Sequence, residues 1–432
     1  MKRKIFIGVL VAVLVLAIVG LVSCDNGEIP SNNGGDSTPP NYTPPEYTQN
    51  ETLTFELNDA ADGYVVTGLA EGVTETNVTV PGIYNGLPVT VIGESAFAAC
   101  SHLTVCRIPD SVEVIKESAF QNCSGLRLLR FDTASKLTQI AANAFQNCTG
   151  LTAVTLPDSV VSVGDRAFQG CTALKSVALG NGVETVGVEA FRGCSKLATV
   201  NVGNSLKQLG QSAFLNCSLI EQLTLPNTLE SVGLGALQGC TGIKNISLPF
   251  VGAAKYVNPI EDERESVEKH TNFGYIFGAN SFDDQHALNL DNLETVTITG
   301  SSPIGYHAFQ NIGRYIGSSE SKGVGLNAII ITGNVKVIGT GAFQGCFNLQ
   351  TLVIPASVAT IGRQILDVGV IKHVFYCGTQ TDWNKLGTNS SNNMGLYANS
   401  EQSDPKYFYS ESQPTAAGQY WHYVDGVHTP WN

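Results

Sequence analysis

The chain has 432 residues, with 37 Asp or Glu against 24 Lys or Arg and a formal charge of −13. So acidic a chain lacks the electrostatic footprint for gripping nucleic acid, and 43% hydrophobic residues exclude a disordered one. Charged residues are only 14% of the total, against roughly 25% in an ordinary soluble domain. Glycine reaches 45 and cysteine 11, with no C-x-x-C pair of the kind that binds zinc.

Lys2, Arg3 and Lys4 precede an apolar run over residues 5–22, followed by Ser23 and Cys24. A basic start and an apolar stretch form a secretory signal. Leu21-Val22-Ser23-Cys24 resembles the bacterial lipobox, which implies that Cys24 is lipidated and becomes the first mature residue. An uncleaved membrane helix is the alternative, since about 18 apolar residues can just span a bilayer. Residues 1–23 are read as the lipoprotein signal peptide. Residues 24–50 are rich in Pro, Asn, Gly, Ser and Thr and have no apolar period, so they form a flexible tether. Its span is on the order of 25–30 Å.

Beyond the tether the chain repeats itself. Ala-Phe recurs at Phe97, Phe120, Phe145, Phe168, Phe191, Phe214, Phe309 and Phe343, with Leu237 standing in once. The first seven anchors are spaced by 23, 25, 23, 23, 23 and 23 residues. After each anchor comes a pattern such as Leu151, Val154 and Leu156, and before the next one a pattern such as Val160, Val163 and Gly164. One unit reads L-x-x-L-x-L-P-x-x-V-x-x-I-G-x-x-A-F-x-x-C-x-x. Alternating apolar residues mark a short strand with one buried face. A unit this small cannot form a core alone, so equivalent units stack into a solenoid. Each coil returns to the same edge, which makes the sheet parallel. Gly164, Gly187 and Gly210 mark the corners, where a Cβ would obstruct a tight turn or a close backbone approach.

This unit resembles the BspA-like class of bacterial leucine-rich repeats over about residues 51–376. Gly63-Tyr-Val-Val-Thr-Gly68 and the stretch 84–93 are similar to the segment that opens such arrays. The resemblance implies secreted or surface-attached proteins, often called adhesins, without an active site. The expected fold is mainly β: a leucine-rich-repeat solenoid with a curved parallel sheet and about 23-residue coils. An N-terminal cap is expected over 51–86 and repeats over 87–376, with insertions near 250–272, 278–292 and 310–325. The stretch 377–432 drops the repeat and turns aromatic, and is read as a C-terminal cap.

Cys100, Cys123, Cys148, Cys171, Cys194, Cys217, Cys240 and Cys346 all lie three residues after an anchor, so stacking aligns them in a column. A ligand ladder or inter-coil disulfides is one reading of this column. The other is a small buried side chain filling a corner, and Ile312 in the same slot favours it. Cys106 reads as strand core, and Cys377 is unassigned. Asn-Cys-Ser/Thr at Asn122, Asn147 and Asn216 matches a glycosylation sequon but reads as a by-product of the repeat. The seven histidines are scattered, and zinc-peptidase and hydrolase motifs are missing. No cofactor, metal or catalytic residue is expected.

Strand positions facing away from the core are the candidate binding face. Thr155, Asn201, Thr224, Ser247 and Thr297 fall in one column, and Thr199, Gln222, Asn245 and Thr295 in the other. Arg107 and Arg130 head the first column; Ile330, Val353 and Phe375 end it. Thr and Asn also simply suit an exposed sheet. From Leu237 the next anchor is read as Phe277, at 40 residues. The first insertion carries the acidic run 261–268, a solvated charge cluster, and the others should protrude on one edge. The function expected is a lipid-anchored, monomeric cell-surface module that binds a protein or glycan and performs no catalysis. A structural envelope component without a ligand, or an enzyme with an unrecognised site, are the alternatives.

Overall fold

The structure is a computed structural model that describes residues 52–255, 271–313, 325–366, 371–386, 406–410, 420–424 and 427–430. The signal peptide, the tether, the acidic run and part of the third insertion lie outside the described residues.

Apolar alternation builds the first side of each coil. In Ala153–Thr155 only Val154 is buried, while Ala153 and Thr155 face outward. One inward side chain cannot hold a strand, so the next coil does. Ala153–Thr155 pairs in parallel with Ser176–Ala178, and that strand with Thr199–Asn201, each residue opposite its equivalent 23 positions on. The same succession runs from Asn77–Thr79 and Val105–Ile108 to Thr351–Ile354 and His373–Tyr376. The array makes about 12 turns of roughly 23 residues. A one-residue slip would turn every inward residue to solvent, which fixes the register.

The sequence reading gives each coil one strand; the structure gives two. Val114–Ile115, Gln139–Ile140, Ser162–Val163, Thr185–Val186, Gln208–Leu209 and Ser231–Val232 form a second parallel ladder. Two residues are too few to display a period, so the pattern does not announce a strand. The glycine after each short strand sits where coils meet backbone to backbone. A Cβ on Gly210 would lie 2.4 Å from the Gly187 carbonyl carbon.

The Ala-Phe turn makes the third side. Phe97, Phe120, Phe145, Phe168, Phe191 and Phe214 are fully buried and stack with centroids 4.9–5.2 Å apart. The N–H of Phe97 donates to Ala119 O at 2.7 Å, and Phe168 to Ala190 O at 2.8 Å. Two residues after the anchor the backbone is left-handed, with φ of 63° at Asn122, 59° at Asn147 and 64° at Asn216. Asparagine tolerates that region, and a core cysteine follows it, so the sequon match is produced by the repeat itself.

The cysteine column is more than corner filling. From Cys123 on, each S–H of the column donates to the anchor carbonyl of the preceding coil, with distances of 2.8 Å for Cys123 to Phe97 O, 3.2 Å for Cys171 to Phe145 O and 3.0 Å for Cys346 to Phe309 O. Phe97 O also accepts the N–H of Cys100 at 3.1 Å, so both lone pairs of a buried carbonyl are used. Among the described residues no disulfide joins these cysteines. Burial pushes the Cys171 thiol from its ordinary 9.0 up to about 12, too high for a nucleophile or metal ligand at neutral pH.

The period breaks differently from the sequence expectation. Leu237 N–H donates to Ile276 O, as though Phe277 were the next anchor. Yet it is Phe273 whose N–H reaches Ala308 O and whose ring stacks on Phe309 at 4.8 Å. One 3-10 turn, Phe273–Phe277, thus divides the anchor between two phenylalanines. Gln285 of the second insertion is buried behind it. Its Oε1 accepts Gly274 N–H at 2.7 Å, and its Nε2 donates to Gln310 O at 3.1 Å and His307 O at 3.3 Å. One side chain thereby completes the ladder where the backbone cannot. A further coil escapes the motif: Phe343 N–H donates to Ile365 O, putting Leu366 at the anchor.

Beyond His373–Tyr376 the first ladder continues through Lys406–Tyr409 and Tyr420–Val424, and Val427–Pro430 closes it antiparallel. Among the described residues no helix is long and apolar enough to cross a membrane.

Two tests follow from this packing. Phe168→Ala should cost about 3–5 kcal/mol in urea unfolding, whereas Phe168→Leu, which copies Leu237, should cost under about 1.5 kcal/mol. An unfolding midpoint indifferent to the alanine would refute the stack as a source of stability. In thiol titration of the native protein only half-buried Cys100 and Cys377 should react, and all ten body cysteines after denaturation. Because burial raises thiols such as Cys171 in the folded protein, those of the unfolded chain lose their protons first. Stability present below pH 9.0 should therefore fall as pH approaches about 12, and a flat response there would contradict the buried column.

Candidate binding face

Outward positions of the first ladder come together as the alternation requires. Parallel register places Gln222 beside Asn245 and Asn245 beside Thr295, and likewise Thr224 beside Ser247 and Ser247 beside Thr297. Thr155 shares its column with Ala178 and Asn201, and Thr199 stands beside Ser176. Neighbouring strands are about 4.8 Å apart, so one hydroxyl or amide follows another at that interval. Thr155, Thr199, Asn201, Gln222 and Thr224 are exposed; Asn245, Ser247, Thr295 and Thr297 are half-buried. The face is uniform in chemistry, since none of these nine side chains titrates near neutral pH.

Its two ends differ. At the N-terminal end Arg107 and Arg130 stand side by side on paired strands. Arg107 Nε is 2.8 Å from Asp132 Oδ1. At the C-terminal end the expectation of exposed apolar residues is corrected. Val353 and Phe375 are 1% and 3% exposed, because Trp421 lies over them. The Trp421 ring meets Phe375 edge-on at 5.6 Å, its Nε1 donates to Tyr376 O at 3.2 Å, and Tyr409 packs on its far side at 5.0 Å. A small second core therefore sits outside the sheet. Aromatic clustering after residue 377 was its only sequence signal. Beside it His373 is held below its usual pKa, first by burial and then by Lys372, and is neutral at pH 7.

The second insertion shapes a separate cleft of about 450 Å³ between itself and the coil corners. Leu215, Asn216, Gln238, Thr241, Leu288 and Asn289 are among its walls. Cys240 is its only titratable lining group, and that thiol donates to Phe214 O at 3.1 Å and is raised by burial. General acid–base chemistry needs a group poised near the working pH, and the cleft supplies none. Among the described residues no three His, Cys, Asp or Glu side chains converge as a metal site. The lipidation candidate Cys24 lies outside the described residues, and the cysteine column stays inside the solenoid, away from the face.

Known proteins agree with this architecture. A family model described as a BspA type leucine rich repeat region matches six copies over residues 90–221, 138–254 and 314–377. No curated protein matches the chain. Among solved structures, a T. pallidum leucine rich repeat protein is 28% identical, with a TM-score of 0.42, covering 46% of this chain and 91% of its own. A leucine rich cell surface protein from Faecalibacterium prausnitzii is 21% identical, with a TM-score of 0.37, covering 80% of this chain and 98% of its own. The pneumococcal vaccine antigen PcpA is 16% identical, with a TM-score of 0.32, covering 84% and 93%. The repeat matches span more than half of the chain, and the protein belongs to the BspA-type leucine-rich-repeat family.

Proposed function

We propose that this protein is a cell-surface binding module, held to its membrane by a lipid on Cys24, whose exposed strand face takes a protein or glycan partner without catalysis. The observation that carries the reading is the register: nine hydroxyl and amide side chains stand in two columns across successive coils. They contribute nothing to the core, which is complete without them. A surface of this kind binds through many weak, evenly spaced hydrogen bonds, and each gains only about 0.5–1.5 kcal/mol. Affinity then comes from the number of coils engaged.

Introducing carboxylates should ruin such a face without touching the fold. Thr199→Glu, Thr224→Glu and Thr297→Glu together should abolish cell adhesion or partner capture, with thermal unfolding unchanged. Adhesion that survives the triple variant would sink the proposal. For the anchor, Cys24→Ala should lose incorporation of a palmitate analogue; undiminished labelling would exclude the lipid.

A further inference from the structure

We infer that the N-terminal end of the strand face is built for an acidic polysaccharide, with Arg107 and Arg130 taking its carboxylate or sulfate groups. The inference rests on the reading of the strand face as a binding surface. Its starting point is a local cost. Arg107 and Arg130 are direct neighbours on paired parallel strands, on the same outward side, and like charges placed so destabilise a sheet. Asp132 neutralises only one of them, through Arg107. Among the described residues no carboxylate pairs with Arg130. Elsewhere the same column holds Thr155, Ala178, Asn201 and Thr224, so the fold does not require a base there.

The surroundings extend the positive zone. Exposed Arg127 immediately precedes the strand Leu128–Phe131, and exposed Lys175 stands at the equivalent place two coils on; neither is ion-paired among the described residues. In a chain with 37 acidic and 24 basic residues, two adjacent arginines on the face and two bases beside it, against Asp132, are a local reversal of sign. Farther along the array the same place holds Glu221 and Glu294 with Lys244 between them, so the basic excess is confined to the first coils. Guanidinium groups suit carboxylate and sulfate because their donors form a planar fork. One anion bridging Arg107 and Arg130 would relieve their repulsion.

What adjoins the arginines selects the rest of the ligand. The columns continue into Thr155, Ser176, Thr199 and Asn201, all hydroxyl or amide. Past the half-buried Val105 and Leu128, an acidic peptide, which seats itself by apolar anchors, would meet only Ala153, Ser176 and Thr199 in that column. A chain of hydroxylated sugars finds a donor or acceptor at every coil.

The test measures binding of the purified protein to heparin, to polygalacturonate and to dextran, giving sulfated, carboxylated and neutral arms. One or both acidic glycans should bind, more weakly as salt is raised, and dextran should not compete. Which acidic arm binds tells sulfate from carboxylate. Arg107→Gln with Arg130→Gln should lower affinity about tenfold or more, while Arg107→Lys with Arg130→Lys, which keeps the charge but not the fork, should fall between that pair and the native protein and show that the sheet is intact. Unchanged affinity in the glutamine pair, or dextran bound as well as the acidic glycans, overturns the inference. A partner lost on Thr199→Glu and Thr224→Glu but indifferent to the glutamine pair also overturns it, while leaving the strand face as the binding surface.

Discussion

The N–H of Phe168 reaches the Ala190 carbonyl of the next coil at 2.8 Å, and its ring lies on Phe191 with centroids 5.2 Å apart. Three such seams run the length of the array: the strand ladder, the short-strand ladder and the phenylalanine turn. Each is a contact between one coil and the next, so stability is a sum of nearest-neighbour terms and no coil is stable alone. The requirement is strict only for what faces inward. Val154, Val163, Phe168 and Cys171 are all fully or almost fully buried within one stretch of chain, while Thr155 between them is exposed and could be many residues without loss. Coil stacking therefore explains both the monotony of the core and the freedom of the surface.

Inward residues are also what made the fold legible. Ala-Phe every 23 residues and the L-x-x-L-x-L alternation announce the coil, the parallel sheet and the cysteine column, because burial forces the same choice at each repeat. The second ladder did not announce itself, since a strand such as Ser162–Val163 is shorter than the period that would reveal it. Leu366 was passed over because leucine fills the anchor slot without the Ala-Phe signature, although Leu237 had already shown that it can. Gln285 could not be found by pattern at all. Its hydrogen bonds to Gly274, His307 and Gln310 matter only because an inserted turn displaced the backbone that normally makes them, and a buried glutamine has no sequence mark distinguishing it from an exposed one. The candidate face was legible as a list of positions, but its C-terminal limit was not: the cover by Trp421 joins residues 45 positions apart, Trp421 to Tyr376.

These differences bear on where recognition can occur. Trp421 is spent on Val353 and Phe375 rather than offered to solvent, which shortens the open strip and leaves its polar middle and basic end. The second insertion, tied to the solenoid by Gln285, is an integral wall rather than a loose loop, and the cleft it forms carries amides and leucines without a catalytic group. Neither feature adds chemistry; both shape surface. The same holds for the cysteines from Cys123 to Cys346 in the column, whose thiols are consumed as donors to the anchor carbonyls.

A solenoid of this kind separates two kinds of selection along a single strand. In Val105–Ile108 the inward Cys106 and Ile108 are fully buried and answer to the neighbouring coils, while Arg107 between them answers to nothing in the core. Its position beside Arg130 is mildly unfavourable in the isolated protein, and exposed ion pairs such as that with Asp132 return little, about 0–1 kcal/mol. Folding therefore gives no reason for two arginines at the head of a column that elsewhere carries threonine, alanine and asparagine. A residue pair that the fold neither needs nor rewards, placed where a hydroxyl-lined strip begins, has its explanation outside the folded chain, in whatever the strip holds.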